Sequence, residues 1–329
     1  MKRIAVLTSG GDSPGMNPAI RSITRTGLHK KLEIIGIRNG YQGLLDNEFI
    51  DLDTHVVSGR IRDAGTFLQT SRCPDFVTEA GQRRALDILA AHRIDGLIVI
   101  GGDGSLKGAR DLHRFGLPVI GLPGTIDNDI FGTDMGIGVD TALNTIIDLV
   151  DMIRATAASH RRCFVVEVMG RGSGYLALMT TISTGSQVAV IPEFRMNMES
   201  INRVLDHRFS SHHNNSVIIV AEGVCQGSEF MERLLATGRV KQEVRLTVLG
   251  HIQRGGTPTH FDRLLASRMG EMAVLALMSG ETGAMVATVD GKSRLRDFDD
   301  ILSRRKALPS DAIRLARNIG IEIGDVVEP

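Results

Sequence analysis

Asp103, Asp127 and Asp129 are the side chains of this sequence best placed to do chemistry, because each stands in a loop whose other members are mostly small. Asp103 lies in GGDGS at 101–105. There Gly101, Gly102 and Gly104 leave backbone N–H groups open to a phosphate, and Ser105 is the expected start of a helix whose positive end favours the same anion. Asp127 and Asp129 lie in PGTIDND at 123–129. A carboxylate beside a phosphate calls for a hard cation between them, so GGDGS predicts Mg2+ together with a nucleotide. Glycine and aspartate also make ordinary turns, and neither familiar glycine pattern applies. Residues 102–108 are one too many for G-x-G-x-x-G, and Leu106 stands where a P-loop needs glycine. Two such loops one crossover apart are what single the region out.

The elements that must position these residues follow from the apolar pattern. Gly96 to Ile100 and Pro118 to Leu122 read as strands, and SLKGARDLHRF reads as a helix with Leu106, Ala109 and Leu112 inward. A right-handed crossover makes the strands parallel and brings both loops to one carboxyl edge, where open α/β sheets bind ligands and where the three carboxylates are expected to meet. TSGGDSPGMNPAIR at 8–21 has the same strand, glycine loop and helix order, with the helix expected from Asn17 or Pro18. NGYQGLL reads as a turn presenting Tyr41, either to stack on a purine or to cover an edge. Arg72 closes a glycine- and arginine-rich stretch and is a candidate to neutralise phosphate charge. A long helix is expected from near Asp140. The strand Cys163 to Val168 then ends in MGRGSGYLA, which sets Arg171 at a strand's carboxyl end, where a cation could hold a substrate phosphate or developing charge.

Composition bounds these readings. At 329 residues, 42% hydrophobic, with 37 glycines, the chain is long enough for two α/β cores. Lys plus Arg and Asp plus Glu each total 38, so no net field calls for nucleic acid or an anionic membrane. Cys73, Cys163 and Cys225 are odd in number and lack metal-ligand spacing, which suits a reducing cytoplasm. The first apolar run, Ile4 to Ser9, is far too short for a membrane span or signal core, so a cytoplasmic protein is expected.

TSGGDSPGMNPAIR, IGGDGSLKGA at 100–109, PGTIDND, VVEVMGRGSGYLA at 165–177, AEG at 221–223 and LGHIQRGG at 249–256 together resemble the bacterial type of ATP-dependent 6-phosphofructokinase family, over essentially the whole chain. The resemblance implies an ATP site at Gly11, Tyr41, Arg72, Cys73, Gly102, Gly104, Ser105 and Gly108, with Mg2+ near Asp103. It implies a fructose 6-phosphate site at Thr125, Ile126, Asp127, Arg162, Met169, Gly170, Arg171, Glu222, Arg245, His251 and Arg254. Asp127 would be the base for the sugar's 1-hydroxyl, while Gly11, Thr125, Asp129 and Arg171 orient or stabilise the transfer. A homotetramer is implied, with Arg162 and Arg245 supplied by an adjacent subunit. Gly104 and Gly124 stand where pyrophosphate-dependent relatives carry aspartate and lysine, which implies ATP as donor. A nucleotide or lipid kinase sharing only GGDGS would leave Arg162, Arg245, His251 and Arg254 without a task. A non-catalytic sugar-phosphate sensor would not need Asp103, Asp127, Asp129 and Arg171 intact.

The same resemblance implies two doubly wound α/β domains of similar size with the active site in the cleft between them. The ATP-binding domain would be 1–138 and 253–303, and the sugar-phosphate domain 139–252 and 304–329. Arg21, Arg25 and Arg154 match the family's binding site for ADP or phosphoenolpyruvate. Thr54, Gln187, Ser211, His212 and His213 replace charged residues there, so weakened or altered allosteric control is expected.

Overall fold

The computed structural model describes residues 1–210 and 215–326. By contact density the chain forms two compact units. The first holds residues 1–126, 130–141 and 254–306; the second holds 127–129, 142–253 and 307–329.

In chain order the first unit contributes β1 (Arg3–Ser9), α1 (Met16–His29), β2 (Glu33–Ile37), α2 (Gly40–Leu45), β3 (Phe49–Asp51), α3 (Glu79–Ala91), β4 (Gly96–Gly101), α4 (Asp103–Arg114) and β5 (Val119–Pro123). α5 (Val139–His160) leads on to β6 (Cys163–Val168), α6 (Tyr175–Thr184), β7 (Val188–Val190), β8 (Phe194–Arg195), α7 (Met198–Ser210), β9 (Ser216–Ala221), α8 (Gly227–Ala236) and β10 (Val244–Val248). The chain then returns to the first unit with α9 (His260–Ser279), β11 (Ala284–Val289), β12 (Lys292–Asp297) and α10 (Phe298–Leu302). It ends in the second with α11 (Ser310–Asn318) and β13 (Asp325–Val326).

The first unit's sheet runs β12-β11-β5-β4-β1-β2-β3, parallel except for the two edge strands. Its central strands are apolar on both faces because helices cover both. Ile4, Val6, Ile98 and Ile100 pack with Ile20 and Ile23 of α1 and Met269 and Ala273 of α9. Ala5, Leu7, Leu97 and Val99 pack on the opposite side with Leu44, Leu89, Leu106 and Leu112. The alternation within each strand sends successive side chains to opposite layers. The winding reverses about β1 and β4, so their carboxyl ends form a topological switch point.

The second unit's main sheet, β10-β6-β9-β7, is wholly parallel. Cys163, Val165, Ile218 and Val220 pack with Ile201 and Leu205 of α7 and Phe230 and Leu234 of α8, while α6 lies against β7 and β9. β8 and β13 pair separately. Among the described residues no helix is long and apolar enough to cross a membrane.

Candidate functional site

Register brings the first unit's glycine loops together. Ser9 of β1 pairs with Gly101 of β4, and Gly101 pairs with Pro123 of β5, so the loops at 10–15, 101–105 and 124–126 leave the sheet at one level. The glycines allow the approach. A Cβ at Gly101 would stand 2.4 Å from the Ser9 carbonyl oxygen and 2.5 Å from Ser105 Oγ. Gly10 has φ 83°, a left-handed backbone that glycine adopts without steric cost. α1 starts at Met16, one or two residues earlier than its sequence suggests.

α4 likewise starts two residues before Ser105, at Asp103, with Gly102 as its extended N-cap. Asp103 therefore occupies the helix's first turn, where its half-exposed carboxylate accepts from Lys107 Nζ at 2.7 Å. A Cβ on Gly104 would meet nothing within 4 Å, and one on Gly102 would meet only Thr125 Cβ at 3.9 Å, so the head of α4 is open. Ser105 is buried. Gly108 faces Phe76 and Tyr41, whose ring atoms lie 2.8 and 3.0 Å from a Cβ built there.

Tyr41 is not on a turn. It lies on α2 and is 5% exposed, stacked on Phe76 with centroids 3.8 Å apart, and its hydroxyl donates to the Ser105 carbonyl at 2.8 Å. Of the two roles open in the sequence, the packing supports the covering one: its ring stacks on Phe76 and its hydroxyl holds the Ser105 carbonyl in the first turn of α4. Burial also raises its pKa well above the ordinary tyrosine value. Arg72 is exposed and Cys73 half-buried, its thiol pKa raised by desolvation. Arg254 Nη1 donates to the Asp12 carbonyl at 2.5 Å, and a Cβ on Gly11 would come within 2.7 Å of the same nitrogen. Thr125 and Ile126 are buried at the end of this unit's third loop.

Among the described residues no group of three or more His, Cys, Asp or Glu side chains could hold a metal ion by itself. Asp103 belongs to the first unit, and Asp127 to Asp129 group with the second. Asp127 is 7% exposed, and Asn128 takes a left-handed φ of 51°.

In the second unit, β6 ends beside a tight loop. Gly170 has φ 141° and Arg171 has φ 54°, a left-handed backbone that a non-glycine residue rarely adopts. The loop is held at several points. Arg171 N donates to Glu222 Oε1 at 3.0 Å, Ser173 N to the Gly170 carbonyl at 2.8 Å, and Met169 N to Gln253 Oε1 at 3.1 Å. Gly223 is required where Arg171 O comes within 1.9 Å of a Cβ position. Glu193 Oε1 accepts from Gly174 N at 2.8 Å beneath the start of α6, and burial raises the Glu193 pKa. The Arg171 side chain is exposed at the tip, and His251 is exposed on the turn Gly250–Arg254.

Arg162 and Arg245 come together through a residue not singled out in the sequence. Glu243 Oε2 accepts from Arg162 Nε at 2.6 Å, and its Oε1 pairs with Arg245. The spacing of two between Glu243 and Arg245, at the start of a strand, is the one local signal for this pairing. Glu193 was missed for the opposite reason: its partner is 19 residues earlier, and nothing local points to it.

Among the implied effector residues, Arg21 is half-buried and Arg25 exposed on α1. Arg154 of the second unit donates to Ser186 Oγ at 3.3 Å. A cavity of about 380 Å³ there is lined by Ser186, Gln187, Arg203, His207 and Arg208. Burial, followed by the charge of Arg154, lowers the Arg208 pKa. Gln187 is buried, accepting from Val217 N and donating to the Gly185 carbonyl, both at 2.9 Å. Ser211, His212 and His213 lie outside the described residues.

Glycine-built loops at a doubly wound switch point, with a second parallel sheet carrying a cationic loop, define a phosphate-handling α/β protein. The chain belongs to the phosphofructokinase family, whose model matches residues 3–277. It is 47% identical over 98% of its length, and 100% of the relative's, to a protein of Shouchella clausii described as ATP-dependent 6-phosphofructokinase. A protein of the same description from Natranaerobius thermophilus is 48% identical with the same coverage. Among solved structures, phosphofructokinase from Saccharomyces cerevisiae superposes with a TM-score of 0.86 at 35% identity, over 97% of this chain; the chain spans 50% of the yeast chain.

Proposed function

We propose that this protein transfers the γ-phosphoryl group of ATP to the 1-hydroxyl of D-fructose 6-phosphate, giving fructose 1,6-bisphosphate and ADP in the cytoplasm. The observation that carries this reading is the open head of α4, where Gly102 and Gly104 leave room for phosphates beside the Asp103 carboxylate. The first unit would be the ATP domain, and the second the sugar-phosphate domain.

The chain's own groups divide the work. Asp127 takes the proton from the sugar hydroxyl as O1 attacks phosphorus, and the bond from phosphorus to the ADP oxygen breaks. Arg171 offsets charge on the transferring group from a loop fixed by Glu222 and Gly223. Thr125, Ile126, Asp129 and Gly11 orient the reactants. Arg162, Arg245, His251 and Arg254 receive the 6-phosphate, while Met169, Gly170 and Glu222 hold the sugar. Arg72, Cys73, Ser105 and Gly108 border the nucleotide, and Tyr41 serves it through Ser105.

A single half-exposed carboxylate paired with a flexible lysine fits a Mg2+ ion that arrives on nucleotide phosphates and keeps several waters. When bound through Asp103, that ion supplies neutralising charge to the phosphates. The open space at Gly104 favours ATP over pyrophosphate. Steady-state ADP release should depend on fructose 6-phosphate, and pyrophosphate should support only a small fraction of the rate; comparable rates with both donors would contradict the donor assignment.

The assembly is proposed as a homotetramer, and its control by ADP and phosphoenolpyruvate as weakened. Arg21, Arg25 and Arg154 retain anion-binding capacity. Gln187, however, contributes no charge and has both ends of its amide engaged with backbone. Sugar saturation curves at pH 8 with each effector test this: strong activation by ADP with strong inhibition by phosphoenolpyruvate would refute it.

A further inference from the structure

Glu243 stands between the two arginines assigned to the 6-phosphate, and its contacts define how they are presented. Its two carboxylate oxygens are used separately, one on Arg162 Nε and one on Arg245 Nη2. Bonding Arg162 through Nε leaves the Nη1 and Nη2 donors of that guanidinium for another acceptor, and Arg245 retains Nε and Nη1. The hydrogen bond from Arg162, with the charges of both arginines, holds the Glu243 carboxyl below its usual range. It is therefore ionised wherever such an enzyme works. Without it two like charges would face each other across the starts of β10 and β6; with it the triad carries a net charge of about +1. The side chains are partly exposed, so water competes for every contact and no member is locked in place.

We propose that Glu243 is an internal counter-ion that competes with the sugar phosphate for Arg162 and Arg245, setting the affinity for the phosphorylated end of the substrate without taking part in the transfer. This rests on the assignment of those two arginines to the 6-phosphate, and holds whether they serve a sugar on their own chain or on a neighbouring subunit's. A phosphate monoester carries about −1.5 to −2 charges at neutral pH and presents three acceptor oxygens, against one charge and two oxygens for the carboxylate. It can therefore displace Glu243 from both arginines, at the cost of separating a carboxylate from its partners. Removing the competing charge should strengthen phosphate binding.

Glu243→Gln keeps the side chain's shape and removes its charge. In the full-length enzyme its KM for fructose 6-phosphate should fall by about two- to fivefold, the scale of one partly exposed charge contact. The kcat and the KM for ATP should stay within twofold, and the gain should shrink as salt is raised. A merely structural residue would instead shift the thermal midpoint and kcat together. An unchanged or raised KM for the sugar in a variant of normal thermal midpoint would overturn the proposal, a raised value meaning that Glu243 organises the arginines rather than competing for the phosphate. Arg245→Gln, measured in parallel, separates the two ways of failing. If it raises the sugar KM while Glu243→Gln has no effect, the counter-ion proposal alone falls. If neither variant changes the sugar KM, the assignment of the arginines falls and takes the proposal with it.

Discussion

The loops of the first unit proposed for the nucleotide and those of the second proposed for the sugar phosphate would receive phosphate by different means. The first is built by subtraction. At Gly101 and Gly108 a side chain would collide with backbone or ring atoms, and at Gly104 there is open space; the head of α4 carries the ion pair Asp103–Lys107. The second is built from charge. Arg162, Glu243 and Arg245 form a triad, and the Arg171 loop is tied down by the carboxylates of Glu222 and Glu193 and the amide of Gln253. The difference teaches that added volume should do most damage in the first unit, and altered charge most in the second.

The hardest test of that contrast is Asp127→Asn, which changes almost no volume. It should lower kcat by roughly 10²–10⁴-fold with a modest change in sugar affinity, as loss of a general base does. Turnover near the unmodified level would remove Asp127 from the base role, and with it the claim that charge governs the second unit's contribution.

Asp262 is the first unit's exception, a fully buried carboxylate at the start of α9. It accepts from Gly138 N and Thr141 N at 2.8 Å and from Thr141 Oγ1 at 2.6 Å, drawing the 138–141 segment to the helix. Desolvation outweighs these bonds and raises its pKa to about 6. The folded protein thus holds this proton more tightly than the unfolded chain. The group imposes no penalty below about pH 4, and its penalty grows as pH rises and is complete above about pH 6, reaching about 3 kcal/mol. Urea unfolding of the wild type and Asp262→Asn from pH 4 to 7 should show the wild type losing stability relative to the variant across that window. A difference that is constant with pH would contradict the shift.

Gly101→Ala sharpens the steric half of the comparison. Its Cβ would press on the Ser9 carbonyl and on Ser105, costing about 1–3 kcal/mol by overpacking, read as a lower thermal midpoint. Gly104→Ala, where nothing stands within 4 Å, should leave the midpoint nearly unchanged and so serves as its control. The smallest effect is expected for Tyr41→Phe. The stack on Phe76 remains and only the bond to the Ser105 carbonyl is lost, so stability should fall by about 0.5–1.5 kcal/mol while the KM for ATP holds within twofold. A large rise in that KM would mean that Tyr41 contacts the nucleotide after all.

Much of this was readable along the chain. The strands Cys163–Val168, Ser216–Ala221 and Ala284–Val289 fall where their apolar runs lie, because strands covered on both faces by helices must be apolar throughout. The glycine loops were visible for a related reason: close backbone approach excludes side chains, and that exclusion is local. The edge strand β12, KSRLRD, carries no such signal, since it is open to solvent and its register depends on β11 beside it. Tyr41 was ambiguous in sequence because a ring that covers an edge and a ring that stacks on a base need the same residue. The stack on Phe76 and the bond to the Ser105 carbonyl are what favour the covering role.

The sequence by itself determined the buried strands and the glycine loops that follow them, because burial periodicity and backbone freedom are properties of neighbouring residues. Only the tertiary structure decided that Glu243 joins Arg162 across 81 residues and that Asp262 braces Thr141 across 121. A charged side chain is compatible with many partners, and the one it takes is set by which strands and helices the fold brings alongside it.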